Sequence, residues 1–224
     1  MTRKRLFIIG NGRVPFDMSE QVDSSDHVVR FNEPKQSIGM TGTKTTWLFV
    51  ANSGKPMQRR LEDPKYPTSP IVQATDLVFL AYHPQIVRKY FKKPNFLSWL
   101  GGRRADWTKA AMAMFAEAGK AVALLPPSNY EAGCAELGLT REMMRSVFPS
   151  TGYFGIRYAL ERLPAEEWDV EIAGFSWEGW RRHAWGDERA WVMRKVEERN
   201  IRVWLADDGG ANSKERDRED GQKA

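Results

Sequence analysis

The sequence predicts a single α/β domain built on a mostly parallel sheet flanked by helices. Apolar runs of strand length recur along the chain, as in LFIIG, HVVRF, TWLFVA and DLVFLAY. Segments with helical apolar spacing separate the later ones, an alternation that implies strands covered on both faces. The first run leads straight into a Gly-Asn-Gly turn, the usual opening of a βα unit whose ligand crevice lies beyond the carboxyl ends of the strands.

In chain order, residues 6 to 10 form the first strand and close on Gly10-Asn11-Gly12. A short polar segment with a helix or turn follows. A second strand at 27 to 31 then ends in Phe31-Asn32, and a third occupies 46 to 51. Residues 55 to 70, KPMQRRLEDPKYPTSP, carry four prolines and are expected to make an irregular excursion over the sheet edge or the site. The fourth strand is 76 to 82. Helical patterning covers 84 to 92 and 106 to 118, the latter closed by Gly119. Residues 121 to 125 are the fifth strand, and a short helix is expected at 140 to 147. Ser150-Thr151-Gly152 opens a longer helix reaching about Leu163. A strand at 169 to 175, a helix at 187 to 199 and a strand at 201 to 206 complete the domain, residues 1 to 206. Residues 207 to 224, with 6 acids and 4 bases and little apolar content, are expected to be a disordered polar tail.

Composition narrows the function classes. A chain of 224 residues with 42% hydrophobic content suffices for one domain with a substantial core. Cys134 is the only cysteine, which rules out an intrachain disulfide and favours a reducing setting; its own expected place is in the core. MTRKRLFIIG is too short in apolar residues for a signal-peptide core, and no stretch approaches a membrane span. These features place the chain in the cytoplasm, or peripherally at the inner membrane surface. The formal charge of +5 suits an anionic substrate. Nucleic acid would require clustered bases on a recognisable reading module, and none is present.

Three segments concentrate polar chemistry. In IIGNGR, Gly10 and Gly12 permit close approach of the backbone to a ligand, and Asn11 offers both donor and acceptor. The pattern is neither a dinucleotide fingerprint nor a P-loop, and a tight turn without ligand is the competing reading. In FPSTGYFGIRYAL, Ser150, Thr151 and Gly152 would present hydroxyls and amides to an anion at a helix N-terminus; an ordinary capped helix is the alternative. In WEGWRRHAWGDERAW, His183 lies in a loop crowded with tryptophan and arginine, where a neutral imidazole could take a proton from a sugar hydroxyl. Glu188, five positions on, would orient His183 or cap the following helix. His27 and His83 read as structural, and no spacing suggests a metal site. Trp177, Trp180, Trp185 and Trp191 form either a sugar-stacking platform or a hydrophobic cover.

The order and spacing of these segments resemble those of family 29 glycosyltransferases, the sialyltransferases. IIGNG with VDSSDHVVRFN and TGTKTTW is similar to their large motif, FPSTGYFGIRYAL with DVEIAGF to their small motif, and His183 to Glu188 to their very small motif. The resemblance implies a GT-A-like variant fold and metal-independent, inverting transfer from a CMP-linked donor such as CMP-sialic acid. The acceptor would be a glycan or lipopolysaccharide-type hydroxyl. It implies that Gly10, Asn11, Gly12 and Asn32 hold the CMP region, that Ser150, Thr151 and Gly152 contact the donor's phosphate or carboxylate, and that His183 is the general base. Asn52 is a further candidate contact, while Lys44 and Thr45 are expected to hold the fold.

The chain also departs from that family. The cysteine pair usually shared by the large and small motifs is absent, and so is a His-Tyr-rich third motif, which leaves Arg181 or Arg182 as candidate substitutes at the phosphate. These departures fit a cytosolic bacterial relative. Some such relatives carry the label urease operon accessory protein, although nothing here suggests nickel handling. The competing function is a CMP- or nucleotide-binding accessory protein that has lost turnover.

Overall fold

A computed structural model describes residues 2–33, 38–179 and 181–206. The expected disordered tail, 207–224, and Trp180 lie outside the described residues. Strand β1 is Lys4–Ile9, β2 His27–Phe31, β3 Thr45–Val50, β4 Thr75–Leu80, β5 Ala121–Leu124, β6 Trp168–Ala173 and β7 Ile201–Trp204. They form one sheet in the order β5-β4-β3-β2-β1-β6-β7, and every neighbouring pair is parallel. The chain therefore winds outward from β1 to β5 and then returns to the far side of β1. That reversal makes β1 and β6 the topological switch point, where open α/β sheets bind ligands.

Strand alternation divides the core in two. Leu6, Ile8, Val29, Phe31, Phe49 and Phe79 face the layer formed by α4 (Pro84–Tyr90), α7 (Pro127–Glu136), α8 (Thr151–Arg162) and α9 (Trp185–Glu198). Phe7, Ile9, Val28, Leu48, Val50, Val78 and Leu80 face the opposite layer of α1 (Ser19–Asp23), α2 (Gly54–Glu62), α3 (Pro70–Gln73) and α6 (Thr108–Glu117). Each such side chain removed from water contributes about 1.5–3 kcal/mol, so the sheet is held from both sides. A short α5, Phe96–Leu100, buries none of its residues.

Two expectations are corrected. Residues 54–62 form a nine-residue helix rather than an irregular excursion, because Pro56 falls in its first turn, where the missing N–H costs nothing. Residues 140 to 147 yield only a 3₁₀ turn, Met143–Arg145, and the substantial helix of that region is α7, which begins at Pro127.

The groups expected to be structural occupy structural places. His27 lies edge-on to Trp47 and Trp168, and burial pushes its pKa down to about 4. His83 caps α4, its Nδ1 accepting from the Gln85 amide. Lys44 Nζ donates to the Ser25 carbonyl and Thr45 Oγ1 to that of Thr43. Cys134 is fully buried.

Candidate functional site

The switch point is built by three glycines. The Gly10 amide donates to the Ala173 carbonyl and the Gly12 amide to that of Gly174, both at 2.8 Å. A Cβ on Gly10 would stand 2.2 Å from the Gly174 oxygen and one on Gly12 2.9 Å from it. Gly174 itself has φ +73. The glycines expected to admit a ligand thus first admit the backbone after β6, and the joined turns form the floor of a cleft.

Asn11 sits on the rim of that floor. Asn32 stands at the end of β2 with φ 51, a left-handed conformation that asparagine tolerates better than most residues. Its Oδ1 accepts from the Ala51 amide at 3.0 Å and its backbone carbonyl from the Tyr66 hydroxyl at 2.8 Å, so what it offers a ligand is its NH2 group. On the same strand, buried Arg30 donates to the carbonyls of Lys44, Thr41 and Gly42 and to Thr41 Oγ1, pinning the turn that enters β3. Burial lowers its pKa to about 10.

The start of α8 forms one wall. Ser150 caps the helix, its Oγ accepting from the Tyr153 amide at 3.0 Å. Its own amide and hydroxyl donate to the two carboxylate oxygens of Glu188, at 2.7 and 2.6 Å. Glu188 therefore fastens α9 to the N-terminus of α8, and its carboxylate goes to Ser150, whereas the expectation was that it would orient His183 or cap its own helix. Burial raises its pKa to about 7, against the lowering effect of the two bonds from Ser150. With Ser150 engaged in this way, the first-turn amides of Thr151 and Gly152 are the groups α8 presents to an anion. Thr151 Oγ1 also lies 3.4 Å from the Tyr82 hydroxyl.

His183 borders the cleft next to Phe148, which lies on the stretch that leads into α8. Its Nδ1 meets the Phe148 carbonyl at 2.9 Å, which fixes the tautomer with N–H at Nδ1 and leaves the basic lone pair on Nε2. Burial depresses its pKa, an effect opposed by the bond to Phe148, so the imidazole is neutral at pH 7. Its ring meets that of Trp185 edge-on at 4.8 Å. Trp177 holds φ 55, a strained conformation for so large a residue, and stacks on Phe175 at 5.3 Å.

Together these groups line a cleft of about 310 Å³. Gly10, Asn11, Gly12, Asn32, Ser150, Thr151, Gly152 and His183 all border it. So does the segment from Gly174 to Glu178, of which Trp177 alone was expected to meet a ligand. Its signal lay in Gly174, a glycine directly after a strand and facing the first glycine turn. A second cavity of about 570 Å³ adjoins at Asn32, between the turn at 39–43 and residues 63–71. Among the described residues no His, Cys, Asp and Glu side chains gather as a metal site.

Three expected contacts lie elsewhere. Asn52 is fully buried, with its side chain spent on both the amide and the carbonyl of Tyr82 and on Thr108 Oγ1, so it holds strands and helix together and does not reach a donor. Arg182 donates to the carbonyls of Arg145 and Ser146 and lies over the Phe148 ring, and Arg181 is exposed outside the cleft lining. Neither arginine is among the described residues that line the cleft. The tryptophan group divides: Trp177 and Trp185 border the cleft, while Trp191 is buried and donates to Glu136.

No family model matches the chain. It is 29% identical over 198 residues to the urease operon 23 kDa accessory protein of Rhizobium meliloti (strain 1021), an alignment covering 84% of this chain and 86% of the relative. Among solved structures it is similar to a mammalian sialyltransferase in complex with Gal-β-1-3GalNAc-ortho-nitrophenol, with a TM-score of 0.52, 16% identity, and coverage of 92% of this chain and 71% of the other. The sialyltransferase CstII from Campylobacter jejuni, in complex with CMP-3FNeuAc, aligns with a TM-score of 0.49, 13% identity, and coverage of 90% and 81%. An all-parallel seven-stranded sheet flanked by helices is thus the fold this chain has in common with the mammalian sialyltransferase.

Proposed function

We propose that the chain is a sialyltransferase-like glycosyltransferase that moves a sugar from a CMP-linked donor to a glycan hydroxyl with inversion, independently of metal. One observation carries this reading: the Asn11 turn, Asn32, the first amides of α8 and the imidazole of His183 border a single cleft at the switch point. The amides of Thr151 and Gly152 would take the phosphate of CMP, stabilised by the positive end of the helix dipole. Asn11 and the NH2 group of Asn32 would hold the nucleotide beside it. Nε2 of His183 would accept the proton of the acceptor hydroxyl as its oxygen bonds to the anomeric carbon. The bond from that carbon to the phosphate oxygen breaks, and CMP departs with the electron pair. Charge developing on the phosphate is met by preorganised donors, the arrangement that lowers such barriers most.

A second reading is favoured by a specific observation. Among the described residues the cleft lining contains no lysine or arginine, and its one acidic residue is Glu178. A pocket that binds a nucleotide without turning over its sugar would suffice for an accessory protein, and the curated relative carries that label.

Isothermal titration with CMP and UMP, followed by donor hydrolysis, separates these readings. The transferase reading expects CMP to bind in preference to UMP. It also expects the native chain to hydrolyse CMP-sialic acid at least a hundredfold faster than His183→Ala, the usual scale of a general base. CMP binding with equal hydrolysis by both proteins would leave the accessory reading.

A further inference from the structure

Among the described residues, the most exposed run of large apolar side chains lies away from the cleft lining, on α5. Phe96, Leu97 and Leu100 are 72%, 79% and 61% exposed, and Trp99 is 48% exposed. The segment is nevertheless held in shape. Asn95 Oδ1 caps it through the Ser98 amide at 2.8 Å, the Arg103 amide returns to the Ser98 carbonyl, and Arg104 donates to the Trp99 carbonyl while lying 5.0 Å over its ring. Exposed Lys92 and Lys93 precede the cluster, and exposed Arg103 and Arg104 follow it. From residue 77 to residue 105 the chain carries six basic residues and no acidic one.

We propose that α5 docks the protein onto an anionic phospholipid surface, with Phe96, Leu97, Trp99 and Leu100 entering the interface and the flanking bases meeting lipid phosphates. Five residues span about 7.5 Å, far less than a bilayer, so the cluster can lie in the headgroup and acyl boundary but not cross the membrane. Tryptophan favours that boundary, and each basic residue near an anionic leaflet adds attraction. The same basic flanks disfavour a second copy of the chain as occupant, because a two-fold contact would bring like charges together.

Its position gives the docking a use. Phe91, five residues before α5, packs on Phe148 at 4.9 Å, and the Phe148 carbonyl holds His183. After α5, the Ala105 carbonyl accepts from the Gly54 amide and Asp106 bridges to Ser53, just past the carboxyl end of β3. The protrusion therefore rises from the same edge of the sheet as the cleft. A docked chain would hold its cleft beside the bilayer, within reach of a lipid-anchored glycan; that consequence rests on the transferase reading, whereas the docking does not.

Co-sedimentation of the full chain with vesicles tests the proposal, with sedimentation velocity of the protein alone as companion. Binding is expected to vesicles of phosphatidylglycerol and phosphatidylcholine in equal parts, with little to phosphatidylcholine alone, and it should weaken with salt. Leu97→Ser with Leu100→Ser should weaken it about tenfold or more, and each of Lys93→Gln and Arg103→Gln about fivefold. These side chains are exposed, so all variants should keep the circular dichroism of the native chain, and His183→Ala should bind vesicles like the native chain. No binding to the anionic vesicles, undiminished binding by the variants, or a dimer dissolved by the leucine substitutions would overturn it.

Discussion

At the scale of one residue, Glu188 decides what the α8 wall can offer. As a carboxylate it accepts both the amide and the hydroxyl of Ser150, which engages that hydroxyl's proton. Once protonated, it would donate to Ser150 Oγ and release the serine proton toward a bound anion. Its folded pKa, about 7, lies above the ordinary 4.5, so its contribution to stability is fully present below about pH 4.5 and is lost as the pH rises through 7. Relative to Glu188→Gln, the native chain should lose on the order of 3 kcal/mol between pH 4.5 and pH 8, read by urea unfolding at each pH. The neutral variant removes this titration while keeping an acceptor for the Ser150 amide. A parallel dependence in both proteins would show that Glu188 does not titrate in this range. His27 and His183, with depressed values, act in the opposite sense, gaining stability as the pH rises toward their ordinary pKa and holding it above, and they cancel in the comparison.

At the scale of elements, α8 shows how packing and site are joined. A Cβ on Gly155 would stand 2.3 Å from Cε1 of Phe31 and 3.1 Å from Cδ2 of Phe49, so α8 lies closer to β2 and β3 than any larger residue allows. Phe31 also borders the cleft. Gly155→Ala should therefore cost about 1–3 kcal/mol by overpacking, and CMP binding should weaken with it as Phe31 shifts; thermal unfolding and titration read the two effects. Unchanged stability would show that Phe31 yields freely. This closeness was not legible beforehand, because a glycine inside a helical pattern gives no sign of what it faces.

The elements themselves were legible to different degrees. All seven strands were readable to within two residues at each end, since the central ones are buried apolar runs and the outer β5 and β7, though little buried, are still rich in apolar residues. The helices α2 and α7 were hidden by proline. Pro56 lies in the first turn of α2, and Pro127 opens α7, so both residues start helices where they suggested loops. Within α7, Tyr130, Gly133 and Cys134 face inward among turn-forming residues, which leaves no clear apolar stripe to read.

At the scale of the whole molecule, winding order turns scattered motifs into one site. Residues 10–12, 32, 150–152 and 183 are far apart in sequence, and the reversal between β1 and β6 gathers them at one edge of the sheet. Their polar types and their positions after strands or at a helix start were visible in the sequence. The role of Gly174, Phe175 and Ser176 was not, because it depends on β6 pairing with β1 across more than 160 residues. Asn52 shows the converse, since an asparagine just past β3 looks like a ligand contact until Tyr82 and Thr108 are seen to consume its side chain.

A crystal structure of the chain soaked with CMP is the most direct test of whether this edge is a donor site. The nucleotide should lie in the switch-point cleft, its phosphate within hydrogen-bonding distance of the Thr151 and Gly152 amides and its remainder beside Asn11 and Asn32, with Nε2 of His183 facing it across the gap. CMP bound in the larger cavity beyond Asn32 or on another face, with the α8 amides left to solvent, would contradict the assignment.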